Sequence, residues 1–281
     1  MTYIHDKNMA DNTLNIHNDG SITVRDSGIA IASGGVTGMS SVHKFGNAPD
    51  FDTGDGDVDV WDGANDAAPD LMSYTFLAAA STLYISSDDA GDGQVYEVQG
   101  LDANYALQIT NVTASGLTFV PIAGTWLRVF RVKNLGATSN AGNIYISDSN
   151  VDTSGGADGI PDTLTAIKAM IQIGNNQTLM AIYTVPAGKT AYMDSFWAGT
   201  AGASKASEYD VSVHARSLGG VFQLKHLSAL QDSGTSHWLH PNNVPEKFAA
   251  KTDIVMRANL ITAAKTGASI SAGFELILID N

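Results

Sequence analysis

Thr178-Leu179-Met180-Ala181-Ile182-Tyr183-Thr184-Val185-Pro186-Ala187-Gly188-Lys189-Thr190-Ala191-Tyr192-Met193-Asp194-Ser195-Phe196-Trp197 decides the class of fold. Two runs rich in β-branched and aromatic residues, 178–185 and 190–197, flank a Pro-Ala-Gly-Lys turn. Each run is about as long as one sheet crossing. Further strands are expected at 209–216, 220–227, 252–259 and 269–279, with turns at Gly219-Gly220, Asp232-Ser233-Gly234 and Pro241-Asn242-Asn243. Val211, Val213 and Ala215 alternate with Asp210, Ser212, His214 and Arg216, so the first set faces a core. The tract Phe274-Glu275-Leu276-Ile277-Leu278-Ile279 reads as a central strand buried on both faces. Short strands at this spacing predict an antiparallel β-sandwich of jelly-roll type over 161–281.

Toward the N-terminus the same all-β character continues. An acidic β domain is expected over 45–160, with strands at 82–86, 94–98, 105–112, 117–120, 126–132 and 143–147. In Trp126-Leu127-Arg128-Val129-Phe130-Arg131-Val132 both faces carry apolar residues, which predicts cover on both sides. One short helix is expected between the two domains. Pro161 suits a first helical position, Asp162 complements the dipole, and Leu164, Ile167, Met170 and Ile171 follow helical spacing up to Gly174-Asn175-Asn176. Residues 1–44 are polar, glycine-rich and weakly patterned; they read as an extended N-terminal arm with one strand at 21–25.

Composition sets limits on function. The 281 residues are enough for two folded units and an arm, and 28 glycines against 7 prolines suit a turn-rich β protein. No apolar run reaches the roughly 18 residues of a membrane span, and the N-terminal residues lack a signal-peptide pattern, so no membrane partner is expected. The absence of cysteine excludes disulfides and thiolate metal sites. Net charge is −14, unevenly spread: residues 1–162 hold 21 acidic and 6 basic side chains, residues 163–281 hold 8 and 9. The acidic half gains nothing from phosphate neutralisation, so nucleic acid is not an expected partner.

Few motifs suggest chemistry. Phe51-Asp52-Thr53-Gly54 spells the aspartic-protease fingerprint, and Asp26-Ser27-Gly28 and Asp232-Ser233-Gly234 supply formal partners. That chemistry needs two buried carboxylates sharing a proton, whereas Asp52 sits in a run with Asp50, Asp55, Asp57 and Asp59. Asp55, Asp57 and Asp59 instead suggest a calcium loop, with Asp62 and Asp66 downstream, because calcium takes several hard oxygens from one flexible segment. The EF-hand pattern fails at Val60, where glycine is required, and at Asp66, where glutamate is required. Asp148, Asp152, Asp158 and Asp162 offer a second acidic loop with the same defect. A structural calcium is the one cofactor these residues suggest, and a plain acidic turn is the alternative.

His226, His237 and His240 cluster without a helical His-Glu-x-x-His frame, and no Gly-x-Ser-x-Gly elbow, Walker loop or dinucleotide fingerprint appears. Trp61, Trp126, Trp197 and Trp238 are candidates for a sugar-binding face or for core packing. No catalytic residue is assigned, and the chain is read as a non-enzyme.

Val42-His43-Lys44-Phe45-Gly46-Asn47-Ala48-Pro49-Asp50-Phe51-Asp52-Thr53, followed by Val60-Trp61-Asp62-Gly63, resembles structural proteins of tailed bacteriophage particles of the short-tailed marine type. The stretches 174–190, Pro245-Glu246-Lys247-Phe248-Ala249-Ala250-Lys251-Thr252-Asp253-Ile254 and Ser271-Ala272-Gly273-Phe274-Glu275 resemble the same family's second half. The resemblance implies a virion component assembled in the bacterial host cytoplasm. It does not say which component; the first reading is a capsid decoration, or cement, protein that binds the major capsid protein or other virion proteins and forms a homo-oligomer, a trimer. A tail, adaptor or fibre component is the second reading, and a carbohydrate-binding surface module the third.

Overall fold

The computed structural model describes residues 27–64, 71–153, 157–201, 207–232, 235–262 and 268–281. The strand expected at 21–25 lies outside them. The chain divides into two compact units, residues 1–40 and 41–281. The first contributes the short helix α1 (Ser27–Ala32).

The strands, in chain order, are β1 (Met39–Phe51), β2 (Val58–Asp59), β3 (Tyr84–Ser87), β4 (Val95–Leu101), β5 (Leu107–Thr113), β6 (Val120–Pro121), β7 (Arg128–Asn134) and β8 (Ile144–Ser147). They continue as β9 (Ile167–Ile171), β10 (Ile182–Thr184), β11 (Lys189–Ala201), β12 (Ser207–Arg216), β13 (Gln223–Asp232), β14 (Thr235–Phe248), β15 (Asp253–Thr262) and β16 (Ala268–Asp280). The chain is all-β, as the sequence predicts.

Two sheets make the sandwich, with orders β1-β16-β11-β14 and β10-β15-β12-β13. Counting only these eight strands along the chain, the orders become 1-8-3-6 and 2-7-4-5, the pairing of an antiparallel jelly roll. Alternation explains the core. Tyr209, Val211, Val213 and Ala215 of β12 stand beside Leu260, Ala258, Met256 and Ile254 of β15, all buried. Ala191, Met193, Phe196 and Ala198 of β11 do the same with Leu278, Leu276, Phe274 and Ala272 of β16.

Residues 52–181 form a long insertion between the first and second sandwich strands. It folds into two small sheets, β6-β3-β8-β9 and β5-β4-β7, and sends β2 back to pair with β15. Trp61 and Met180 form a bridge where the insertion leaves and returns. Gly46 of β1 is needed there: a Cβ on it would stand 2.2 Å from the Val60 carbonyl oxygen and 2.4 Å from the Ala181 nitrogen.

The structure departs from sequence expectation at identifiable places. The expected helix shrinks to a 3-10 turn at Leu164–Ala166, and Ile167–Ile171 continues as strand β9 with all five residues buried. β9 pairs with β8, so one sheet runs across residues 160 and 161. The expected turn at Pro241-Asn242-Asn243 lies inside β14. Pairing there jumps from Ser195↔Pro241 to Met193↔Glu246, leaving residues 242–245 opposite Asp194 alone, a bulge that an end strand accommodates. β16 is central, yet only one face is fully buried; Glu275, Ile277 and Ile279 are partly exposed. β1 begins at Met39, inside the residues read as an arm.

Candidate functional site

A jelly roll leaves two edges at which its sheets end. At the first, marked by β1 and β10, the insertion covers the gap. Phe130 of β7 packs on Tyr183 of β10 with ring centroids 4.9 Å apart. Lys44 of β1 reaches the Phe130 carbonyl with its ammonium nitrogen. Burial, with Arg131 nearby, holds the Lys44 pKa well below the ordinary lysine range.

A dense charge network lies where β10, β15 and β12 end side by side. Asp253, at the start of β15, has a side chain only 4% exposed and accepts from Arg128 Nε at 2.9 Å and Nη2 at 3.1 Å. It also accepts from Arg216 Nη2 at 2.6 Å and from the Thr184 hydroxyl at 2.6 Å. Arg128 comes from the insertion; Arg216 and Thr184 come from the sandwich. Phe76 lies under both guanidiniums, 5.0 Å from Arg128 and 4.9 Å from Arg216. One buried carboxylate thus fastens the insertion to the sandwich.

Asp62 sits at the root of the insertion. Its Oδ2 accepts from the Leu179 N–H at 2.9 Å, while its buried Oδ1 has no hydrogen-bond partner among the described residues. Burial pushes its pKa up to about 8.

The opposite edge is built differently. β14 and β13 are the end strands of their sheets, 14 and 10 residues long. Inward-facing Phe196, Trp238, His226 and His240 fill the gap between them. The Phe196 ring lies 5.1 Å from Trp238 and 5.0 Å from His240, and the two histidine rings are 5.9 Å apart. Burial lowers the pKa of His226. Outside, Leu224 and Leu227 on β13 and Leu239 and Val244 on β14 are exposed, Val244 at 86%.

The residues proposed from sequence for calcium do not converge. Asp59 turns inward, 2% exposed, pairing with Arg257 Nε at 2.7 Å and accepting from the Tyr74 N–H at 2.7 Å. Asp55 accepts from the Asp52 backbone N–H at 2.6 Å, closing a local turn. Asp57 lies on neither contact. In the second acidic loop, Asp162 accepts from Thr153, Asp152 from the Gly159 N–H, and Asp148 lies 3.8 Å from Lys168. Among the described residues no group of three or more His, Asp or Glu side chains is arranged to hold a metal ion. Asp26 and Asp66 lie outside those residues, so the formal protease pairing through Asp26 has no structural counterpart to describe.

The four tryptophans divide by burial. Trp61 and Trp126 are core, Trp238 points inward onto His240, and Trp197 stacks on His237 on the outer face. They form no shared platform. What sequence reasoning missed is the network around Asp253, whose members are separated by 125, 37 and 69 residues.

No family model and no curated protein matches the sequence. Solved structures with a partial likeness include a cowpea mosaic virus empty virus-like particle, at 11% identity over 75% of this chain and 84% of that one, TM-score 0.22. Infectious bursal disease virus of the Gx strain is similar at 9% identity over 86% and 72%, TM-score 0.22. The VP2 subviral particle of the same virus is similar at 10% identity over 86% and 71%, TM-score 0.21. Scores of this size do not establish a shared fold, so the jelly-roll assignment rests on this chain's own strand order.

Proposed function

We propose that this chain is a structural protein of a virus particle, acting as a decoration or cement protein that binds the major capsid lattice as a trimer. The observation that carries the reading is the asymmetry of the sandwich. One edge is locked by the insertion, while the other presents two long end strands with exposed leucine and valine side chains. An apolar rim on a rigid sandwich suits association with copies of itself or with a shell, because buried apolar area drives such contacts without any chemistry. The sequence resemblance to tailed-phage virion proteins points the same way. Pro241 and Pro245 remove backbone donors from one half of β14, so contact there runs through side chains; β13 contains no proline and keeps its edge for strand addition.

The test is where the protein sits and in how many copies. Purified particles should carry it on the outer head surface at hundreds of copies, seen by electron cryo-microscopy and quantified by mass spectrometry. In solution, light scattering should give about three times the 29.4 kDa chain mass. A dozen or fewer copies at the tail would replace this reading with an adaptor or fibre role. Particles lacking the protein would remove it.

A further inference from the structure

Between the insertion and the sandwich lies a cavity of about 650 Å³, within the usual range for small-molecule sites. Tyr105, Arg128 and Phe76 line it from the insertion; Arg216, Lys251 and Asp253 line it from the sandwich. Three cations thus face one carboxylate, in a chain whose net charge is −14. The carboxylate is already committed to Arg128, Arg216 and Thr184. Arg128 is committed as well, since its remaining Nη1 donates to the Leu77 and Leu127 carbonyls. Lys251 is different. Its ammonium nitrogen lies 5.2 Å from the centre of the Tyr105 ring, and it takes part in none of the ion pairs among the described residues.

The backbone supplies a second, independent observation. Tyr105 and Lys251 have φ of 64° and 65°, two of only four non-glycine residues with positive φ among those described. This conformation is unfavourable for a residue with a Cβ, and such strain concentrates at functional sites. Both turns are tied to the same connection between β10 and β11. The Ala187 N–H donates to the Tyr105 carbonyl at 2.9 Å, and the Lys251 N–H donates to the Val185 carbonyl at 2.8 Å. A glycine at either position would relieve the backbone; the chain instead holds an aromatic ring and an ammonium group in the cavity lining.

We propose that this cavity binds a small organic molecule through a single oxyanion, a carboxylate or a phosphate ester. The Lys251 ammonium and the Arg216 guanidinium receive the anion, while Asp253 and Phe76 hold Arg216 in place. The proposal does not rest on the assembly role, which is carried by the outer side chains of β13 and β14.

The test is calorimetric titration of the full chain with D-glucuronate, glucose 6-phosphate and uncharged D-glucose, which share a ring and differ in the charged group. At least one acid should bind about 10-fold or more tightly than glucose, and added salt should weaken it. The preferred acid distinguishes a carboxylate source from a phosphate source. Lys251→Gly should lower that affinity about 10-fold or more while leaving the melting temperature at or above wild type, because glycine takes positive φ freely. Lys251→Asn, which also tolerates this conformation, provides the same comparison if the glycine variant does not fold. Acids that bind no tighter than glucose, or folded Lys251 variants that bind them as wild type does, would overturn the site.

Discussion

The edge of the sandwich at β1 and β10 and the edge at β13 and β14 solve the same problem in opposite ways. At the first, an insertion of 130 residues, 52–181, covers the gap, and its buried contacts with the sandwich are ionic as well as apolar: Arg128 with Asp253, Asp59 with Arg257, and the Phe130 carbonyl with Lys44. At the second, aromatic and histidine side chains fill the gap from inside, and leucine and valine face outward. Buried ion pairs add little net stability over well-packed apolar residues, but removing one partner strands the other and is costly. They therefore impose one docking geometry. Exposed apolar side chains have the opposite property: they cost the monomer little and contribute only when something covers them. The first edge is finished within the chain; the second is left for a partner.

The largest effect should come from breaking the finished edge. Asp253→Ala leaves Arg128, Arg216 and the Thr184 hydroxyl without their common acceptor, two of the three nearly or fully out of water. A loss of about 3–5 kcal/mol is expected from uncompensated buried charge. Urea unfolding followed by tryptophan fluorescence measures it. A change below about 1 kcal/mol would mean that the network is not what fastens the insertion.

Local signals made some strands easier to read than others. The alternation of Val211, Val213 and Ala215 identifies β12 outright, because a half-buried strand writes its two faces into the sequence. The strands expected at 94–98, 105–112, 126–132 and 143–147 appear as β4, β5, β7 and β8 with small shifts. β1 was hidden by Lys44, a buried lysine on the inward face where an apolar residue was the expected signal. β9 was hidden because Ile167-Lys168-Ala169-Met170-Ile171 is buried on every side, and continuous burial fits a helix or a strand equally. Lys168 is tolerated there because its ammonium donates to the Thr165 and Thr75 carbonyls. β14 was hidden by Pro241 and Pro245, which denote a turn except on a sheet edge. The site was less legible still. Nothing near Asp253 in sequence marks Arg128, 125 residues away, as its partner; only the jelly-roll pairing brings them together.

Asp62 sharpens the account of the finished edge through pH. The unfolded chain releases this proton near the ordinary value of 3.8, whereas the folded chain holds it to about 8. The folded state therefore binds more protons between those limits, so this contribution is complete below about pH 3.8, falls as pH rises, and is gone by about pH 8. Its slope is about 1.4 kcal/mol per pH unit at most. Asp62→Asn retains an acceptor for the Leu179 N–H and removes the titration. The difference in unfolding free energy, variant minus wild type, should increase between pH 4 and pH 8, roughly the span set by those two values. Lys44, which favours folding at higher pH, cancels in that difference. Parallel stability curves across this range would show that Asp62 is ionised in the fold.

The smallest effect on the monomer belongs to the open edge, and there a small effect is the informative result. Leu227 and Leu239 are 57% and 56% exposed, one on each end strand. Replacing both with aspartate removes apolar surface that the isolated chain never buries, so stability should stay within about 0.5 kcal/mol of wild type. Association should respond strongly, because two carboxylates would then enter a dehydrated contact without partners. A stable variant whose self-association, read by light scattering across a concentration series, weakens about 10-fold or more would fix the function of this edge as contact between copies. An unfolded variant would reveal the leucines as part of the fold. A stable variant that associates as before would move the contact between copies to another surface of the chain.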